Sequence, residues 1–534
     1  MKLGLAQINV RINDFESNTK KIIDYILKAA NTGADIVVFP ELALVGYPPS
    51  DFLEYDDYMQ KISAHMQQIA SVCIGCCAIV GAPSVNTTST GRKRLNSAYI
   101  LFDGKIQQIV HKTNLPIYDV FDESRFFEPN QTFTTVLYKG YRLAVVICED
   151  TWDSVTNPME KLILDHPDCI INISASPFSD TQIPKRLEMM RKQTEQYKIP
   201  MFYVNHIGAQ TDLIFDGGSI CMNKDGHVCG QMPYFAEGLS IFDSENLKQA
   251  DLVEISAIEG IYRALVLGIK DFFFKLGLQK AILGLSGGID SAVVCVLAVD
   301  ALGAENVHGV LMPSPYSSKH SIDDAKQLAE NLGVSYDLIS IDTLFSNFNQ
   351  ALLPVFTDRK PDLTEENIQA RIRGVLLMAI SNKMGYVLLN TSNKSEMAVG
   401  YGTLYGDMCG ALSVLGDLYK TQVYELAQFM NRKVERIPIN SIEKPPSAEL
   451  RDHQKDTDSL PPYEVLDAIL FAYIENREGV EDIVNKGFDY PLVHRVLGMI
   501  NKNEFKRYQA APVLRVSSRA FGKGWAMPIV AKQN

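Results

Sequence analysis

Short apolar runs punctuate the first 245 residues. Residues 3–10, 36–39, 78–82, 98–102, 106–110, 143–148, 170–174 and 201–205 are rich in branched side chains and bounded by turn residues, which predicts strands. Residues 17–30 and 185–197 carry apolar positions at helical spacing instead. Asn223-Lys224-Asp225-Gly226-His227 reads as a hairpin turn between two late strands. The stretch 243–254 is polar, and it divides the chain into a first domain, 1–245, a linker, 246–256, and a second domain, 257–534. From residue 255 the rhythm alternates: a long helix to Leu276, a strand at 281, a helix at 292–302, a strand at 307–311, a helix at 322–332, and strands at 337–341 and 386–390. That alternation predicts a parallel, doubly wound sheet with ligands beyond the strand C-termini. Residues 440–462 are proline-rich and charged, which predicts a mobile surface loop able to act as a lid.

The length of 534 residues suits two to four domains. A net charge of −12 argues against a nucleic-acid-binding face. No apolar run is long enough to span a membrane, and residues 1–10 do not read as a signal peptide. Nine scattered cysteines point to a reducing, cytoplasmic setting, with Cys73, Cys76 and Cys77 expected in the core rather than on a metal.

Candidate chemistry is densest at Gly284, Leu285, Ser286, Gly287, Gly288, Ile289, Asp290 and Ser291, between a strand and a helix. The glycines let backbone N–H groups approach a phosphate, and the helix N-terminus adds positive potential. Asp290 would repel phosphate directly, so its expected task is to hold Mg²⁺ that bridges phosphate oxygens. The loop lacks the Gly-Lys-Ser/Thr ending of a Walker A loop. It resembles the pyrophosphate loop of the ATP pyrophosphatases, which implies ATP as co-substrate, split to AMP and pyrophosphate.

In the first half, Glu41, Lys112 and Cys148 each follow a predicted strand. A thiol can attack an amide carbonyl, a carboxylate can take its proton, and an ammonium can stabilise the oxyanion. Spacing alone does not select these three. Phe39-Pro40-Glu41, His111-Lys112-Thr113-Asn114-Leu115-Pro116 and Val146-Ile147-Cys148-Glu149-Asp150, with Asn172-Ile173-Ser174-Ala175-Ser176-Pro177 after them, resemble the motif blocks of the nitrilase, or carbon–nitrogen hydrolase, superfamily. The resemblance covers nearly all of residues 1–245 and implies an αββα sandwich. It makes Cys148 the nucleophile, Glu41 the base, Lys112 the oxyanion-stabilising cation and Glu123 an auxiliary glutamate. It also implies Tyr118, Ser176, Lys185 and Glu149 as contacts for glutamine.

In the second half, Gln369-Ala370-Arg371-Ile372-Arg373, Asn390-Thr391-Ser392-Asn393-Lys394-Ser395-Glu396, Gly416-Asp417-Leu418-Tyr419-Lys420-Thr421 and Pro446-Ser447-Ala448-Glu449-Leu450 accompany the glycine loop. Together they resemble the NAD synthetase family over about residues 255–534. The resemblance implies Asp290 and Glu396 as Mg²⁺ ligands, and Thr391, Lys420 and Ser447 as ATP contacts. Arg371, Glu396 and Lys523 become contacts for the acceptor, deamido-NAD. Of the two neighbouring arginines, Arg371 rather than Arg373 is expected at the acceptor.

The expected fold class is therefore α/β, an αββα nitrilase-like sandwich followed by a doubly wound ATP-pyrophosphatase domain. The expected activity joins glutamine hydrolysis to ATP-dependent amidation, with small molecules as partners and a homodimer or larger assembly. An asparagine-forming enzyme of the same loop class would begin with a cysteine after Met1, where this chain has Lys2. A nucleotide-binding regulator with a decayed catalytic half would not be expected to keep Glu41, Lys112, Cys148, Asp290 and Glu396.

Overall fold

The computed structural model describes residues 1–88, 90–152, 156–452 and 454–531. The chain separates into two compact units, Met1–Ile255 and Ser256–Asn534. No helix among the described residues is long and apolar enough to cross a membrane.

The first unit is built on two six-stranded sheets. One runs, in spatial order, Gly238–Asp243, Lys2–Gln7, Ile36–Val38, Cys77–Val85, Arg94–Phe102 and Lys105–His111. The other runs Val228–Gln231, Ile220–Met222, Met201–Asn205, Cys169–Ser174, Tyr141–Ile147 and Val136–Tyr138. Strand alternation explains the layering. Leu143, Val145 and Ile147 pack with Leu3, Leu5, Ile36, Val38 and Ile171 in the core between the sheets. Their neighbours Ala144 and Val146 face the other way, onto Met189 and Met190 of the helix Gln182–Tyr197. On the outside of the first sheet, Val37, Ala78 and Val80 meet Ile22 and Ile26 of the helix Phe15–Asn31 and Ile62 and Met66 of the helix Asp56–Val72. The result is the αββα sandwich. Cys73, Cys76 and Cys77 are buried in these cores.

The edge strand Gly238–Asp243 pairs antiparallel with Lys2–Gln7 and lies immediately before the segment read as a linker. It has no place among the predicted strands because its residues are only partly buried and it carries little apolar signal.

The second unit has a five-stranded sheet in the order Ser335–Leu338, Val307–Leu311, Ala281–Gly284, Val387–Asn390, Leu412–Ser413, with every pairing parallel. The chain winds outward through the first three strands and then crosses to the far side, leaving a switch point between Ala281–Gly284 and Val387–Asn390. The strand expected at 337–341 is displaced: pairing runs over Ser335–Leu338. Ile341 is apolar for a different reason, being fully buried against Ile282, Val310 and Phe345 at the entry to the helix Asp342–Leu352. Apart from two short helical turns, the described part of residues 440–462 is an irregular, largely exposed segment, in keeping with the expected surface loop. The segment begins in the helix Ile439–Glu443, and the chain beyond it borders a cavity described below.

Candidate active sites

In the first unit, Cys148 opens the short 3₁₀ turn Cys148–Thr151 directly after the strand Tyr141–Ile147. Its φ of 47° is a left-handed conformation that costs a non-glycine residue energy, the kind of strain that concentrates at functional sites. Asn172 on the adjacent strand holds the turn from both sides: its Oδ1 accepts the Cys148 N–H at 3.2 Å and its Nδ2 donates to the Cys148 carbonyl at 3.3 Å. Asp150 ties the turn to the Lys112 segment. Its Oδ1 accepts the N–H groups of Thr113 (3.0 Å) and Asn114 (2.8 Å), and its Oδ2 accepts that of Ile147 (3.2 Å).

Lys112 is fully buried between two carboxylates. Its Nζ lies 2.7 Å from Glu41 Oε1 and 2.8 Å from Glu123 Oε1. Burial alone would pull its pKa down, but Glu123 and Glu41 more than offset this and hold it well above the usual lysine value. Two carboxylates share that one cation, and the Glu123 carboxyl is pushed up to about 7, by burial first and with Glu41 adding repulsion. Tyr47 donates to Glu123 Oε1 at 2.8 Å. Glu41 Oε1 also accepts from Asn96 Nδ2 at 2.7 Å, while Oε2 accepts the Ala175 N–H at 2.9 Å. Burial, then Glu41, pushes the Cys148 thiol well above its ordinary value, with Lys112 acting in the opposite direction. A thiol held above its ordinary value needs a base to take its proton if it is to attack a carbonyl.

The residues expected around glutamine divide. Tyr118 donates to the Glu149 carboxylate at 3.1 Å, and burial raises the Glu149 pKa. Ser176 is buried, with its N–H on Asn205 Oδ1 at 2.9 Å. Lys185 is not brought in: it is exposed, with Nζ 3.5 Å from Thr181 Oγ1 at the start of its own helix. One turn earlier, Gln182 reaches Ser176 Oγ at 3.3 Å. On the helix Gln182–Tyr197 the neighbouring Arg186, not Lys185, is the buried cation.

In the second unit a cavity of about 330 Å³ lies at the switch point, lined by residues 284–286, 288–291 and 390–392 together with Glu396 and Lys420. Gly287 adopts φ +79°, and a Cβ there would sit 2.1 Å from the Ser321 carbonyl, so only glycine fits the turn. The serines brace the loop: Ser286 Oγ accepts the Gly288 N–H at 3.1 Å, and Ser291 Oγ donates to the Gly288 carbonyl at 3.0 Å. The N-terminus of the helix Ile289–Leu302 begins here.

Asp290 accepts from Asn393 Nδ2 at 2.9 Å and pairs with Lys420 Nζ at 2.5 Å, and Glu396 Oε1 lies 3.7 Å from the same nitrogen. Burial, then Asp290, pushes the Glu396 carboxyl up to about 8. Lys420 is raised because these two carboxylates outweigh its burial. Two partly buried carboxylates thus share one lysine. No cluster of three or more His, Cys, Asp or Glu placed to hold a metal occurs among the described residues. The donor set suits Mg²⁺, a hard cation that takes one or two carboxylates and completes its shell with phosphate oxygens and water.

Thr391 and Ser447 line the cavity; the Ser447 hydroxyl donates to the Gln454 carbonyl at 2.6 Å. The arginine expectation is reversed. Arg373 lines the cavity with Nε 3.0 Å from the Met312 carbonyl, and burial lowers its pKa to about 10. Arg371 is exposed, with Nε 3.2 Å from the Leu404 carbonyl. Two residues along a helix is a turn of about 200°, so the two cannot share a face. Lys523 is likewise exposed and is not among the residues lining the cavity. Two residues outside the expected set also belong to the site: Asn393, whose Asn-x-x-Glu spacing to Glu396 is a capping-box signal, and Asp456, which lines the cavity and accepts from Tyr463 at 2.9 Å. No local pattern marks Asp456.

The comparisons with known proteins agree with this geometry. Residues 2–247 match the carbon–nitrogen hydrolase family and residues 261–510 match the NAD synthase family, so the chain joins an amide-hydrolysing module to an NAD-forming one. Over 99% of its length it is 45% identical to a glutamine-dependent NAD(+) synthetase of Synechocystis, covering 98% of that protein. It is 41% identical to the Thermotoga maritima protein of the same name, at the same coverages. The structure of glutamine-dependent NAD(+) synthetase from Acinetobacter baumannii, in complex with ADP, is 38% identical and superposes with a TM-score of 0.80 over 99% of this chain and 98% of that one. The chain belongs to the glutamine-dependent NAD(+) synthetase family.

Proposed function

We propose that the chain hydrolyses glutamine at Cys148 and uses the ammonia to convert deamido-NAD to NAD, driven by cleavage of ATP to AMP and pyrophosphate. The observation that carries the reading is Lys112 buried between Glu41 and Glu123 at 2.7 and 2.8 Å, in the electrostatic neighbourhood of a buried Cys148.

In the first site, Glu41 takes the thiol proton as Cys148 attacks the carboxamide carbon. The Lys112 ammonium donates to the developing oxyanion. Protonated Glu41 returns the proton to the departing nitrogen, and water then resolves the thioester by the same base. Glu123 keeps Lys112 protonated and oriented, while Tyr118, Glu149 and Ser176 are the glutamine contacts in this reading.

In the second site, a carboxylate is a poor electrophile toward ammonia. Transfer of AMP to the nicotinate carboxylate turns it into a mixed anhydride with AMP as leaving group. The loop 284–291 and Lys420 hold the departing pyrophosphate, with Thr391 and Ser447 as further ATP contacts. Asp290 and Glu396 would hold Mg²⁺, which supplies charge neutralisation at the phosphates. Arg373 replaces Arg371 as the cavity's arginine. A cytoplasmic setting and a homodimer or larger assembly complete the reading; nine free cysteines support the first.

The test supplies deamido-NAD, ATP and Mg²⁺ with either glutamine or ammonium and measures NAD. Cys148→Ala should abolish glutamine-driven synthesis and retain ammonium-driven synthesis. Retained use of glutamine by that variant would overturn the assignment of the nucleophile.

A further inference from the structure

Among the groups around Cys148, one side chain is placed unlike an ordinary core residue and has no part in the reaction as described. Asn96 is 1% exposed, on the strand Arg94–Phe102 beside the edge strand Lys105–His111. Its Nδ2 donates to Glu41 Oε1 at 2.7 Å and lies 3.5 Å from Glu123 Oε2. Its backbone carbonyl accepts the N–H of Lys112 at 2.8 Å. Its own Oδ1 is buried with no hydrogen-bond partner among the described residues. A buried acceptor without a donor is destabilising, and an apolar side chain of the same size would avoid it. Such orphans in a native structure call for an explanation beyond packing. The amide cannot be turned round to satisfy Oδ1, because that would set it against two carboxylates.

The consequence lies at Glu41. Oε1 is engaged by both Lys112 and Asn96, whereas Oε2 accepts a single backbone N–H, from Ala175. A carboxylate oxygen has two lone-pair directions. We propose that Asn96 is a positioning residue that locks the Glu41 carboxylate so that Oε2, not Oε1, is the atom that takes the Cys148 proton. Without the Asn96 donor, the carboxylate can rotate about its terminal torsion, a soft two-fold coordinate, and trade oxygens toward Lys112. The fraction of enzyme with a base lone pair facing the thiol then falls, while the contacts to glutamine are untouched.

The inference rests on the glutaminase reading of Cys148. It is tested on the full-length chain with Asn96→Leu, which keeps the volume and removes the donor, and Asn96→Asp, which keeps the shape and reverses the interaction. Glutamine-driven and ammonium-driven NAD formation are measured side by side, with melting temperature as the check on folding. Both variants should lose about 10- to 100-fold in kcat for glutamine, the scale of a misplaced general base. KM for glutamine should stay within about 3-fold and ammonium-driven synthesis should be unchanged. A rapid-mixing measurement should show slower thioester formation, not slower thioester hydrolysis alone. An unchanged kcat in either folded variant overturns the proposal, as does a loss confined to KM, which would make Asn96 a substrate contact. If Leu prevents folding, the Asp variant decides alone. If Asp prevents it as well, the residue is structural and the proposal falls. Wild-type protein that makes NAD from ammonium but not from glutamine would instead refute the underlying reading.

Discussion

Substituting Gly287 by alanine separates the conformational demand of the phosphate loop from its packing demand. Gly287 sits at φ +79°, and an added Cβ would lie 2.1 Å from the Ser321 carbonyl oxygen, where ordinary contacts begin at 3.4 Å. The obstacle is backbone, at the start of the helix Lys319–Leu332, so no side-chain rotation relieves it. Gly385 provides the matched control: its φ is +69°, at the end of the helix Leu363–Met384, but nothing lies within 4 Å of its Cβ position. The left-handed conformation costs alanine about 1–2 kcal/mol at either position. Only Gly287→Ala must also move the loop by about 1 Å, and a displacement of that size near a reacting centre costs on the order of 100-fold in rate. Ammonium-driven NAD synthesis is the assay, since it bypasses Cys148. Gly385→Ala should lose stability and keep its rate; Gly287→Ala should lose both. Equal behaviour of the two variants in melting temperature and rate would show that the clash is absorbed elsewhere and that the loop is not held by Ser321.

Lys420→Met removes the shared partner of Asp290 and Glu396, and because both carboxylates are only partly buried the loss falls below the cost of about 3–5 kcal/mol for a fully buried pair. Ammonium-driven synthesis should be lost, and millimolar MgCl₂ should recover part of the melting temperature at pH 8; no recovery argues against these carboxylates as the Mg²⁺ site. Asp150 is a carboxyl pushed up to about 7 by burial, so the folded state binds its proton more tightly than the unfolded chain does. Its contribution therefore makes stability fall as pH rises from about 4 to about 7, and Asp150→Asn should flatten the melting temperature over that window. An unaltered slope would place the carboxylate's three N–H donors ahead of its burial. Arg373→Met should raise KM for ATP or deamido-NAD about 10-fold, the worth of a charge-assisted hydrogen bond, with a smaller effect from Arg371→Met. The opposite order would restore Arg371 as the ligand contact.

The legible parts of the chain were those governed by period and turn chemistry. Strands 143–148 and 170–174 announce themselves because both of their faces are buried, one between sheets and the other under a helix, leaving continuous apolar runs. The glycine loop was legible because its conformation excludes other residues. What escaped depends on how elements meet. The strand Gly238–Asp243 is only partly buried and takes its identity from pairing with Lys2–Gln7. Lys185 and Arg371 are implied by resemblance to family motifs, which places a residue along the chain but not on a face, and a helix rotates about 100° per residue. One to three residues of register therefore decide which way a side chain faces, and here Gln182 reaches Ser176 while Arg373 lines the cavity. Asn96 shows the same limit from the other side. Nothing around it in sequence distinguishes it from a strand residue, and its meaning appears only when Glu41, Glu123 and Lys112, from three separate segments, close around its amide. Residues that carry charge or a thiol can be nominated from sequence because their chemistry is intrinsic. Residues that orient them are neutral and ordinary in sequence, so their role is a property of the assembled site.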